Sequence, residues 1–159
     1  MNPIARAASL AQRTVHALDA AQPLAQLAAR LYVAQIFFGS GVTKLRDWEI
    51  TLALFEDEYH VPLLPPEVAA LLGTAGELAL PVLLVLGLTG RLAAAGLSVV
   101  NLVAVISLAE IAPAALQQHV FWGSLLVGLV LWGPGRWSLD GWLAPRLGRA
   151  GTQPYTRAA

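Results

Sequence analysis

Glu77 is the one ionisable group in the run GTAGELALPVLLVLGLTG, residues 73 to 90. A carboxylate in apolar surroundings must be protonated or paired with a cation. Either condition suits it to moving a proton or to holding a polar head group. Three more polar residues interrupt comparably apolar stretches: Arg30, Gln35 and Asn101. A second set, Lys44, Glu110 and His119, stands at the ends of such stretches. Lys44 and Glu110 are the natural ion pair of this set. His119 could join them and His60 could approach from outside.

Each of these residues also has a plain structural role. Arg30 and Glu77 could form a purely structural pair, or Arg30 could snorkel the other way. Lys44 and Glu110 could be interface anchors, and Asn101 an interhelical hydrogen-bonding group. His119 could simply lie at head-group level. His60 and His119, with no cysteine or aspartate at ligand spacing, give no case for a metal site. No phosphate-binding loop, metalloprotease, nucleophile-elbow or dinucleotide fingerprint is present.

The elements that carry these residues are membrane spans. The chain is 57% hydrophobic and 13% charged, whereas a soluble domain carries about a quarter charged residues. Leu92 to Ala109 contains no charge, and His119 is the one titratable group from Ile111 to Gly135. Each stretch can cross a hydrocarbon core of about 30 Å, which takes about 20 helical residues. Four spans are expected: Leu24 to Leu45 after Pro23, Glu67 to Leu88 after Pro65 and Pro66, Arg91 to Ile111, and Leu116 to Trp132 before GPG. The fold class is therefore all-α, an integral membrane four-helix bundle. At a rise of 1.5 Å per residue, Gln35, Glu77 and Asn101 fall near the midplane, with Arg30 roughly 7 Å closer to the cytoplasm. Lys44, Glu110 and His119 fall near the outer edge, about 15 Å from Glu77.

Three flanking regions complete the layout. Residues 1–22 lack the apolar run of a signal peptide. Ile4, Ala8, Ala11, Val15 and Leu18 instead mark a short amphipathic helix suited to the membrane surface, with a partly disordered tail as the other reading. Residues 23–135 form the membrane domain and residues 136–159 a tail. Between spans one and two, Asp47 is a fitting N-cap, and Trp48, Leu52, Phe55 and Tyr59 give a surface helix its apolar face. Its other face carries Glu49, Glu56, Asp57 and Glu58, a solvated surface or a dock for a basic partner. The strap HVPLLPP follows.

Charge sets the orientation. Arg6, Arg13, Arg91, Arg136, Arg146, Arg149 and Arg157 lie on the side of both termini, which is expected to be cytoplasmic. Formal net charge is zero, so nothing points to nucleic acid. The absence of cysteine excludes disulfides, cysteine-ligated iron–sulfur centres and a redox thiol of the chain's own.

RLYVAQIFFGSGVTKLRDW, GTAGELALPVLLVLGLTGRLAA and WGPGRWSLD together resemble the DoxX family of small four-helix membrane proteins. The resemblance covers about residues 28 to 140, and the matching positions are Arg30, Lys44, Glu77 and Arg91. It implies a bacterial inner-membrane protein with multiple passes and contact with the lipid bilayer. Some relatives are subunits of thiosulfate:quinone oxidoreductase, and others are linked to membrane redox complexes and to oxidative or metal stress. An accessory redox role, quinone as ligand, a membrane or periplasmic redox partner and an oligomeric state follow as expectations. No other cofactor is evident. The alternative is a non-catalytic scaffold or small transporter-like component that recruits a partner through the acidic outer helix.

Overall fold

The computed structural model describes residues 3–143. Six helices follow in order: α1 (Pro3–Arg46), α2 (Trp48–Asp57), α3 (Pro66–Leu86), α4 (Gly90–Ile106), α5 (Pro113–Trp132) and α6 (Leu139–Leu143). α1 packs on α3, α3 on α4 and α4 on α5, while a thinner contact between α5 and α1 closes the ring. Val33, Phe37, Leu84, Ala94, Leu97 and Leu126 meet at its centre. The outside is apolar as well. Leu31, Leu71, Val82, Leu92, Leu102, Val127 and Leu131 are all exposed, which suits a surface solvated by lipid rather than water. α3 and α5 are long and apolar enough to cross a membrane, and α4 is a shorter apolar helix.

Two boundaries differ from the sequence reading. α1 passes Pro23 without a break, so residues 3–22 belong to the same helix as the expected first span. A proline in a helix removes one backbone hydrogen bond, but the rest of the ladder persists on both sides here. α4 ends at Ile106, five residues earlier than the expected Ile111. The Ser107 carbonyl accepts from the His60 N–H at 2.8 Å, and Tyr59 forms an isolated antiparallel bridge with Leu108. The strap thus captures the backbone that would have continued the helix.

The outer helix forms as its sequence indicates. Asp47 caps α2 through Oδ1, which accepts from the Ile50 N–H at 3.0 Å. Phe55 is buried against Ala69 and Ala70 of α3, with Trp48, Leu52 and Tyr59 around it. Glu49, Glu56, Asp57 and Glu58 face outward and are exposed. Of the arginines that set the orientation, Arg146, Arg149 and Arg157 lie outside the described residues, as does residues 144–159 of the tail.

Candidate functional site

Two polar constellations stand at opposite ends of the ring, and they regroup the residues that the sequence separated by depth. The outer one is built on Lys44 and Glu77. Lys44 Nζ lies 2.8 Å from Glu77 Oε1 and 2.6 Å from Oε2, and it also donates to Ser40 Oγ at 2.9 Å. The expected Lys44–Glu110 pair does not form. Glu110 is exposed beyond the end of α4, and the Arg30–Glu77 pair is absent too.

Side-chain direction explains the change. Cα–Cβ bonds lean toward a helix N-terminus. α1 and α3 run antiparallel, so Lys44 leans back along α1 while Glu77 leans the opposite way to meet it. The backbones are also closer in level than counting suggested. A Cβ at Gly41 would lie 3.1 Å from Glu77 Cβ, which puts Glu77 beside a residue one turn below Lys44. The offset is therefore roughly 5 Å, not 15 Å. The first turns of α3 rise past the end of α1, and α2 packs against them.

Asn101 and His119, assigned to different layers by sequence, bond to each other. Asn101 Nδ2 donates to the His119 carbonyl at 3.0 Å, and Asn101 Oδ1 is 2.9 Å from His119 Nδ1. With the amide nitrogen committed to the carbonyl, the amide oxygen accepts from Nδ1–H. The neutral ring then carries its lone pair on Nε2. The early end of α4 brings the two together: Asn101 is about 8 Å from that end, and His119 about 9 Å into α5. Trp122 packs edge-on against His119, with ring centroids 4.9 Å apart.

Lys44, Glu77, Ser40, His119 and Trp122 border one cavity of about 410 Å³, and Asn101 stands behind His119 outside its lining. Lys44, Glu77, Tyr59, His119, Ser40 and Ser107 supply polar atoms, while Phe37, Phe55, Val100, Val103 and Trp122 are among its apolar walls. Its volume lies within the range of small-molecule sites, about 300–1,000 Å³. The Tyr59 phenol is pushed above its ordinary pKa by burial first, then by the charges of Glu58 and Glu77. It therefore remains a hydrogen-bond donor at neutral pH. Tyr59 and Ser40 were not singled out as site residues from sequence. The stripe from Trp48 to Tyr59 carried the signal for Tyr59, since it ends on a residue with a hydroxyl. Gln35 is exposed on the outer surface of α1 and does not join the cavity. Among the described residues, no group of three or more His, Asp or Glu side chains is placed to hold a metal ion.

The inner constellation is built on Arg30, which is 2% exposed. Its guanidinium donates to the carbonyls of Pro134 at 2.5 Å, Val85 at 3.1 Å and Trp137 at 2.8 Å. Five donors in a planar fork let one side chain hold three backbone carbonyls from two separate segments. Asp140 extends the joint by accepting from the Thr89 and Gly90 N–H groups at 2.9 and 2.8 Å. The segment from Trp132 to Asp140 is thus tied onto the turn between α3 and α4. This joint is a structural fastening, since every partner of the guanidinium is a backbone carbonyl.

The model for the DoxX family matches residues 25–110. The chain belongs to the DoxX family. No curated protein and no solved structure matches it. The matched region of this DoxX membrane protein carries Arg30, Lys44, Glu77 and Asn101, and so spans both constellations except for the parts that lie on α5 and beyond.

Proposed function

We propose that this DoxX protein binds the head group of a lipophilic quinone or quinol in its outer cavity, as an accessory subunit of a membrane redox or stress-response system. One observation carries the reading: the Lys44–Glu77 pair, the Tyr59 hydroxyl and His119 border the same apolar-walled cavity. Lys44 and Tyr59 donate to carbonyl oxygens of the oxidised head, and His119 Nε2 accepts from a hydroxyl of the reduced one. Glu77 and His119 exchange protons with the bound head. A partner or a diffusible donor supplies the electrons.

In the same reading α1 from about Leu24, α3, α4 and α5 are four spans of a bundle in the bacterial inner membrane. Both termini and the tail from residue 136 are cytoplasmic, while α2 and the strap face outward. The arginine distribution and the apolar exterior support this placement.

Binding of a short-tailed 1,4-benzoquinone to the full chain in lipid nanodiscs tests the site. Glu77→Gln and His119→Phe should each weaken binding about tenfold with helix content unchanged by circular dichroism. No measurable binding to the unaltered chain would sink the proposal. The exposed acids of α2 favour a second reading, a scaffold that recruits a basic partner. Charge reversal at Glu56, Asp57 and Glu58 should then abolish partner recovery in a pull-down, and unchanged recovery would rule out this dock.

A further inference from the structure

The cavity is roofed at its outer end and open at its side. The roof is the strap: the His60 N–H bonds to the Ser107 carbonyl and Tyr59 bridges to Leu108. Tyr59 and Val61 thereby cover the end of the cavity between α2 and α4. The open side is marked by exposure. Only three cavity-lining residues are exposed, namely Leu64 at the end of the strap, Leu72 of α3 and Val99 of α4, the last two at 55% and 60%.

The gap between α3 and α4 has a local cause. Toward the inner end the two helices touch closely, since a Cβ at Gly96 would lie 2.9 Å from Leu80 Cδ1 and one at Gly76 would lie 3.3 Å from Val100 Cγ2. One turn further out the cavity lies between the two helices, with Leu72 and Gly73 of α3 and Val103 and Ala104 of α4 in its lining. A Cβ at Gly73 would meet only Phe55 of α2, at 3.7 Å. Above the Gly76–Val100 contact that cavity runs from the exposed Leu72 and Val99 to Lys44, Glu77 and His119.

We propose that the cavity is loaded sideways from the bilayer through this gap. Its ligand is therefore an amphiphile: a compact polar head reaches the Lys44–Glu77 pair, and an apolar tail lies out between Leu72 and Val99 into the lipid. This inference rests on reading the cavity as a ligand site, and it adds the path and the tail. A water-soluble head group without a tail fits the geometry less well, because the aqueous end is covered and the rim on the open side is wholly apolar.

The probe is a 1,4-benzoquinone with a decyl tail that carries a photoreactive group at its end, bound to the full chain in nanodiscs. Head binding is measured separately by displacement with the short-tailed quinone. The sideways path gives tail adducts on Leu72 and Val99. It also makes Val99→Phe slow loading about tenfold, while Val127→Phe on the exposed face of α5 changes nothing. Adducts on residues 60–63 of the strap, with loading indifferent to Val99→Phe, would overturn the path and leave the site standing. If no quinone head binds but a photoreactive phospholipid labels Leu72 and Val99, the path and the amphiphile stand and the quinone reading falls. If neither molecule labels the gap and no head binds, both proposals are overturned.

Discussion

At the residue scale, the Lys44–Glu77 pair decides the character of the cavity. The two side chains are 20% and 10% exposed, so neither charge is fully hydrated and each relies on the other. Removing one partner leaves the other charge in poor surroundings, which costs more than losing both. Lys44→Met and Glu77→Gln should each destabilise the protein by about 2 kcal/mol, less than for a fully buried pair because some solvent reaches them. The double change Lys44→Met with Glu77→Leu should recover most of that loss. Denaturation of the four proteins in one detergent checks this, and additive losses would show that the pair is not coupled. Tyr59 gives a pH signature. Its raised pKa means the unfolded chain ionises first as pH climbs, so stability should be flat below the ordinary tyrosine value of about 10 and fall above it. Tyr59→Phe should remove that alkaline decline in melting temperature. Lys44 and Glu77 stood out as candidates in the sequence, whereas their pairing and the part of Tyr59 did not. Counting along a helix locates Cα atoms, while a lysine on a rising helix and a glutamate on a descending one lean toward each other from different levels.

At the element scale, the inner joint explains why three separated sequence blocks belong together. Arg30 lies in α1, the LGLTG turn joins α3 to α4, and WGPGRWSLD follows α5; the guanidinium and the Asp140 carboxylate fasten all three. Gly87 is held in the left-handed region at φ 65°, and a Cβ there would collide with Ser138. Gly87→Ala should therefore cost more than about 1 kcal/mol and release residues 133–143 to limited proteolysis. Arg30→Lys keeps the charge but cannot reach three carbonyls at once, and should expose the same segment. A cleavage pattern unchanged in both variants would show that the joint does not hold the segment down. The apolar helices α3, α4 and α5 were readable from hydropathy and proline, and α2 from its N-cap and apolar stripe. The end of α4 was not, because a backbone bond from His60, some fifty residues away in sequence, stops it. That long-range contact is also what brings Asn101 to His119.

At the scale of the whole molecule, α1 is longer than a bilayer needs. Its 44 residues make a rod of roughly 65 Å, about twice the hydrocarbon thickness of about 30 Å. The ring uses only the part from about Pro23 onward, and nearly every residue from Arg6 to Gln22 is exposed. In the proposed orientation, a straight continuation of α1 would carry Arg6 and Arg13 clear of the membrane on the side of Arg91 and Arg136, which that reading makes cytoplasmic. The acids of α2 would face the opposite compartment. The chain has no cysteine, so single cysteines report their side without background. Ala8→Cys and Glu56→Cys are both at exposed positions. In intact bacterial cells an impermeant maleimide should label Glu56→Cys and leave Ala8→Cys untouched until the inner membrane is opened. Labelling of Ala8→Cys from outside with Glu56→Cys protected would reverse the proposed orientation and place the roof of the cavity, which lies beside α2, on the cytoplasmic side; labelling of both from outside would show that the two positions do not lie on opposite sides of a sealed membrane.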